Sequence, residues 1–129
     1  MPRNIDLTEA EWTLMEQLWA APGLTGRALT EALHKQTGWA RSTTLTLLRR
    51  LTEKGAVRTE EQDGMHVYFP AVSREDAAAR QTRDLLGRVY HGSLSLLVSA
   101  MTREETLSKA EIDELYAILD EMEAKQGNA

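Results

Sequence analysis

Residues Trp39 to Val57, WARSTTLTLLRRLTEKGAV, constrain this chain more than any other stretch. The segment reads as a helix with two unlike faces, a turn and a strand start. Leu45, Leu48 and Leu51, with Leu47 close by, form an apolar face. The other face is small, hydroxylic and basic: Arg41, Ser42, Thr43, Thr46, Arg49 and Arg50, with no acid before Glu53. Amphipathic helices usually oppose a core stripe to mixed charges. Hydroxyls and guanidinium groups suit phosphate oxygens and base edges instead. The pattern predicts a helix built to enter a DNA groove.

The flanking sequence predicts what holds that helix. T-E-A-E at Thr8 to Glu11 is a capping box. Leu7, Trp12, Met15, Leu18 and Trp19 then recur at helical spacing, with Trp12 and Trp19 as core anchors, and Pro22-Gly23 ends the helix. A second helix is expected from about Gly26 to Gln36, capped by Thr25, with Ala28, Leu29, Ala32 and Leu33 facing inward. Gly38 suits a left-handed C-terminal position. Helix, short turn, helix is the helix-turn-helix pattern. Behind it, Ala56 to Thr59 and His66 to Phe69 read as strands joined through Asp63-Gly64, a hairpin signal. Such a hairpin is a wing. Its tip is acidic (Glu60, Glu61, Asp63), which leaves Arg58 and His66 as its candidate DNA contacts.

The rest reads as helical. Ser73 caps a helix carrying Ala77, Ala78, Leu85, Leu86, Val89 and Tyr90, and Gly87 and Gly92 predict a kink or break near Tyr90 to Gly92. Leu94, Leu96, Leu97, Val98 and Met101 follow, then an expected loop over Thr102 to Leu107. Ser108 caps a last helix whose Ile112, Leu115, Leu119 and Met122 form a heptad-like stripe. These segments have no strands with which to close a core, so their apolar faces either fold back on the winged helix as a helical cap or pack on another chain, a two-fold dimer being the simpler resolution. Leu94, Leu97, Val98, Met101, Ile112, Leu115, Leu119 and Met122 are therefore the expected dimer interface, because each buried leucine stabilises by about 1.5–3 kcal/mol. A two-fold dimer would present two reading helices to a palindrome. The expected fold is mainly α with a small β-hairpin: a winged helix over residues 1–72 and a helical dimerisation region over 73–129.

A net charge of −5 over 129 residues bears on the DNA reading, but the charge is uneven. From Thr25 to Arg58, seven basic residues face two acidic ones; from Ser73 onward there are seven basic and eleven acidic. A local basic patch can bind nucleic acid on an acidic chain. Cysteine is absent, which excludes disulfides, thiolate metal sites and cysteine nucleophiles. His34, His66 and His91 lie on separate elements and show no metal-ligand spacing, and no catalytic constellation appears. Neither an enzyme nor a metal or cofactor is expected. With no apolar leader and no membrane-length apolar run, the expected location is the cytoplasm.

Taken in order, LTEAEWTLMEQLW, WARSTTLTLLRRLTEKGAVR, HVYFPAVSRED, LLGRVYHGSLSLLV and LSKAEIDELYAIL carry a resemblance. Over about Asp6 to Glu123 the chain resembles the BlaI/MecI/CopY penicillinase-repressor family of bacterial winged-helix regulators. The resemblance implies a homodimeric repressor of inverted-repeat operators. It places DNA contacts at Arg41, Ser42, Thr43 and Thr46, with Arg50 later in the helix and the wing near His66. Ser42 departs from the lysine common in the antibiotic-resistance members, and Arg41 is a neighbouring source of that charge. In the β-lactam branch a membrane sensor-protease triggers cleavage at an Asn-Phe bond. The matching position here is Ala100-Met101, so a protease partner stays unidentified. In the copper branch a cysteine cluster binds metal, and this chain has none. The alternative reading, from the scaffold and the acidic total, is a winged-helix protein-interaction module without DNA binding.

Overall fold

The computed structural model describes residues 5–104 and 106–127. The chain begins with α1 (Glu9–Ala20), β1 (Leu24–Thr25), α2 (Gly26–Thr37) and α3 (Arg41–Lys54). The hairpin β2 (Val57–Gln62) and β3 (Met65–Pro70) follows, then α4 (Arg74–Tyr90), α5 (Leu94–Glu104) and α6 (Lys109–Gly127).

Each helix start has a local cause. Thr8 and Glu11 complete the capping box, the Thr8 Oγ1 accepting from the Glu11 amide at 3.1 Å and Glu11 accepting from the Thr8 amide at 2.9 Å. Thr25, Ser73 and Ser108 accept from the amides of Ala28, Asp76 and Glu111. α2 stops where Gly38 turns left-handed, at φ 78°. The break expected after Tyr90 is present: His91 (φ 52°) and Gly92 (φ 80°) leave the helix and Leu94 begins the next.

The wing is a three-stranded antiparallel sheet in the order β1-β3-β2. Both turn residues of the hairpin have positive φ, Asp63 at 51° and Gly64 at 78°, as a two-residue type I′ connection requires. That tight turn carries the strands further than the sequence suggests. The register runs from Val57↔Pro70 to Gln62↔Met65. β1 was not expected. Two residues carry no alternation signal, and the strand exists because β3 offers its free edge to Leu24 and Thr25.

Under the wing lies one apolar core. Leu14, Met15, Leu18, Leu29, Leu33 and Leu51 are fully enclosed, with Leu47, Leu48, Ala56 and Val57 beside them. Of the stripe expected in α2, Leu29 and Leu33 are buried and Ala28 and Ala32 half-buried, while Thr30 is also buried. Trp12 and Trp19 are half-buried, edge to face with ring centroids 5.1 Å apart, and pack on this core from its margin. The Trp19 indole donates to the Val72 carbonyl (2.9 Å) and that of Trp12 to Glu16 (2.9 Å), so neither polar edge is left unpaired.

The chain divides into two compact units at Leu85/Leu86, later than the sequence boundary at residue 72. The cause lies in the first turns of α4. Ala77 is buried in the winged-helix core, Arg80 pairs with Asp6 (3.4 Å), and the Gln81 amide donates to the Leu7 carbonyl (2.9 Å). Ser73 starts a new helix, but its first turns still belong to the old core.

The second unit holds α5 and α6. α5 continues to Glu104, through part of the stretch expected as a loop. No residue of α6 is buried. Val98, Met101, Leu107, Glu111, Leu115 and Ile118 line an apolar groove of about 230 Å³ within this unit. Among the described residues no helix is long and apolar enough to cross a membrane, and no cluster of His, Asp or Glu could hold a metal ion.

Candidate nucleic-acid interface

The turn from α2 to α3 is three residues long and closely bonded. The Gly38 amide donates to the His34 carbonyl (2.8 Å), and the Trp39 amide to Thr37 Oγ1 (3.1 Å). The Trp39 carbonyl meets His34 Nδ1 at 3.0 Å. A carbonyl only accepts, so the Nδ1 proton lies in this bond. Trp39 itself packs on the core. These contacts fix where α3 begins.

α3 enters the core through Thr44, Leu47, Leu48 and Leu51, an i, i+3, i+4, i+7 face. This corrects the sequence reading of the apolar face. Leu45 was expected inside with Leu48 and Leu51, but it is 39% exposed, and Thr44 is fully buried in its place. Leucines at 45, 48 and 51 and the set 44, 47, 48 and 51 both fit a helical period. Only packing distinguishes them, and a threonine in the seam hid the second set.

The outward surface is otherwise the expected one. Arg41, Ser42, Thr43, Arg49 and Arg50 are exposed and Thr46 is half-buried. Helical spacing makes neighbours of Ser42, Thr46, Arg49, Arg50 and Glu53, so Glu53 is the acid that borders this surface. The helix has no side-chain N-cap. Ala40 supplies only its carbonyl, to the amides of Thr43 (3.0 Å) and Thr44 (3.3 Å). The first amides of α3 therefore lack the capping oxygen found at α1 and α2.

The far end of α3 is anchored by an ion pair that the sequence did not reveal. Lys54 Nζ lies 2.6 Å from Glu11 Oε1 and donates to the Asp6 carbonyl at 2.8 Å. Glu11 is only 2% exposed. Burial raises its carboxyl pKa. The Lys54 hydrogen bond, the Thr8 amide and the Lys54 charge outweigh that and hold it below its ordinary value. The capping glutamate of α1 thus also anchors the C-terminal end of α3. From sequence, Glu11 carried only a capping signal, because its second partner is 43 residues away.

The wing's two candidates differ in their freedom. Arg58 pairs with Glu60 (3.2 Å) and lies over the Phe69 ring, 4.5 Å from its centroid. Its charge is therefore shared with Glu60. His66 sits directly opposite Glu61 in the hairpin register and is exposed. At the root of α4, Arg74 pairs with Glu16 (2.9 Å) over the Trp12 ring. The Arg74 hydrogen bond, despite slight burial, lowers the Glu16 pKa.

The eight residues expected at a dimer interface lie on α5 and α6. Leu97 is half-buried and the other seven are exposed, Leu94 at 54%. Leu96, Tyr116 (64% exposed) and Ile118 are further exposed apolar residues on these two helices, beyond those the heptad stripe picked out.

Known proteins share this architecture and sequence. The chain is 30% identical to the penicillinase repressor of Bacillus licheniformis over 121 residues, 94% of each chain. It is 31% identical to the transcriptional regulator BlaI of Mycobacterium tuberculosis over 129 residues, 99% of this chain and 93% of that one. The methicillin resistance regulatory protein MecI of Staphylococcus aureus is 27% identical over 118 residues, covering 92% and 96%. Among solved structures, the B. licheniformis BlaI monomer in complex with the blaP half-operator superposes with a TM-score of 0.53 at 26% identity. The superposition covers 59% of this chain and 93% of that one. A mutant of S. aureus MepR matches in fold alone, with a TM-score of 0.51, 20% identity, and 94% and 81% coverage. The sequence model of the penicillinase repressor family matches residues 7–121, and this chain belongs to that family.

Proposed function

We propose that this protein is a homodimeric transcriptional repressor that inserts α3 into the major groove of an inverted-repeat operator. The observation that carries the reading is the outward face of α3, hydroxylic and cationic from Arg41 to Arg50 and held by a buried core on its other side. Arg41, Arg49 and Arg50 would neutralise phosphates, or reach guanine where they point inward. Ser42, Thr43 and Thr46 would contact base edges, and the uncapped first amides of α3 would meet a phosphate oxygen. His66 and Arg58 would touch the backbone from the wing. The BlaI structure on a half-operator supports this use of the matching fold.

Dimerisation would run through the exposed apolar surface of α5 and α6. Two linked half-site contacts bind far more tightly than one. Ala100-Met101 lies inside α5, not in a loop. Release by a protease at that bond would require α5 to open first, since cleavage favours exposed loops.

The test is a salt titration of binding to the duplex upstream of the protein's own coding sequence. Affinity should fall steeply with salt as counterions are released. Changing Arg41, Arg49 and Arg50 together to alanine should weaken binding about a hundredfold and flatten the slope. Unchanged affinity in that variant would sink the reading.

A further inference from the structure

We infer that Leu45 is a specificity-determining residue that reads the 5-methyl group of a thymine in each half-site; the inference rests on the groove-insertion reading above. A lone exposed leucine elsewhere on a protein needs no explanation. This one borders the surface proposed to meet base edges, between that surface and the buried seam. Helical spacing sets the exposed Arg41 and Ser42 one turn before it and Arg49 one turn after, with the buried Leu48 on its core side. Its side chain is 39% exposed. The seam of α3 is filled by Thr44, Leu47, Leu48 and Leu51, and Leu45 lies outside it.

The major groove offers one apolar feature, the thymine methyl. A leucine brought into the groove expels water from whatever faces it. Opposite a thymine methyl, apolar surface is removed from water on both sides, which is favourable. Opposite guanine O6 or the cytosine amino group, the same leucine would leave a polar edge without a hydrogen-bond partner. The residue would thus favour thymine and penalise a G·C pair at one position, which is how a difference in affinity becomes specificity.

The experiment begins by selecting duplexes from a random pool with the full-length protein. In the best binder, each thymine is then replaced singly by deoxyuridine, which removes only the methyl group. One position per half-site should lose about three- to tenfold in affinity, the worth of a buried methyl or slightly more. Repeated with Leu45→Ala, the scan should lose the penalty at that position and keep any others. A fresh selection with Leu45→Gln should exchange thymine there for another base, adenine being favoured by an amide. A scan with no uracil penalty in the native protein overturns the inference. So does a scan in which every penalty survives Leu45→Ala. Failure to enrich any sequence removes the DNA-binding reading itself, which separates the two outcomes.

Discussion

Thr44 is the residue where this helix departs furthest from an ideal core seam. Its Oγ1 is buried without a hydrogen-bond partner. Such a group costs about 1–3 kcal/mol relative to a satisfied one. Thr44→Val keeps the shape and removes the orphan oxygen, so it should stabilise the protein by about 1 kcal/mol. A higher urea midpoint with an unchanged m-value is the expected result. Glu11 makes the opposite prediction. Its carboxyl pKa is lower folded than unfolded, so the folded state holds fewer protons there in acid. Its stabilisation is complete above the ordinary value of 4.5 and is lost as pH falls through the folded value. Glu11→Gln should cost about 1–2 kcal/mol at pH 7, less than a fully buried pair because Lys54 is partly exposed. That cost should shrink toward pH 3. Urea denaturation of both proteins at the two pH values checks it, and a pH-independent difference would show that the charge is not what matters.

At the scale of the element, α3 gives up local stability at its first turn. α1, α2, α4, α5 and α6 each begin with a hydroxyl accepting from a backbone amide, whereas the N-cap of α3 is Ala40. Ala40→Asp should supply the cap and stabilise the protein by about 1 kcal/mol. It should also set a carboxylate where the proposed function places a phosphate. Thermal stability is expected to rise and operator affinity to fall about tenfold or more. If both rise together, the N-terminal end of α3 does not face the backbone. The wing was legible from Asp63-Gly64 because a type I′ turn needs two positive φ values, and Asp-Gly supplies them. β1 was not legible, since a two-residue strand is defined by its partner alone.

For the whole molecule, the second unit is where the proposed dimer contact is placed. Leu94, Met101, Leu119 and Met122 are each about half exposed on α5 and α6, and large apolar residues left to water in such numbers are what an interface would cover. Changing Leu115 and Leu119 together to glutamate should give a monomer by analytical ultracentrifugation. Half-site affinity should stay within about twofold, and the gain from a second half-site should be lost, about a hundredfold or more. A variant that stays dimeric would move the interface off α6. The winged-helix core does not depend on these leucines, so its circular dichroism signature should persist.

Much of this protein was fixed by short-range rules. Caps, turn residues and hydrophobic periods are local. They determined the helix-turn-helix, the hairpin, the break at His91-Gly92 and the uneven charge around α3. Tertiary structure decided what local rules leave degenerate. It chose which of two valid helical faces of α3 is buried, putting Thr44 inside and Leu45 out. It drew the first turns of α4 into the winged-helix core, because Ala77, Arg80 and Gln81 find partners there. It joined Glu11 to Lys54 across 43 residues. The physical reason is common to all three. A residue's period shows that it has a buried or exposed side, whereas the neighbour that claims that side is set by the whole packed chain.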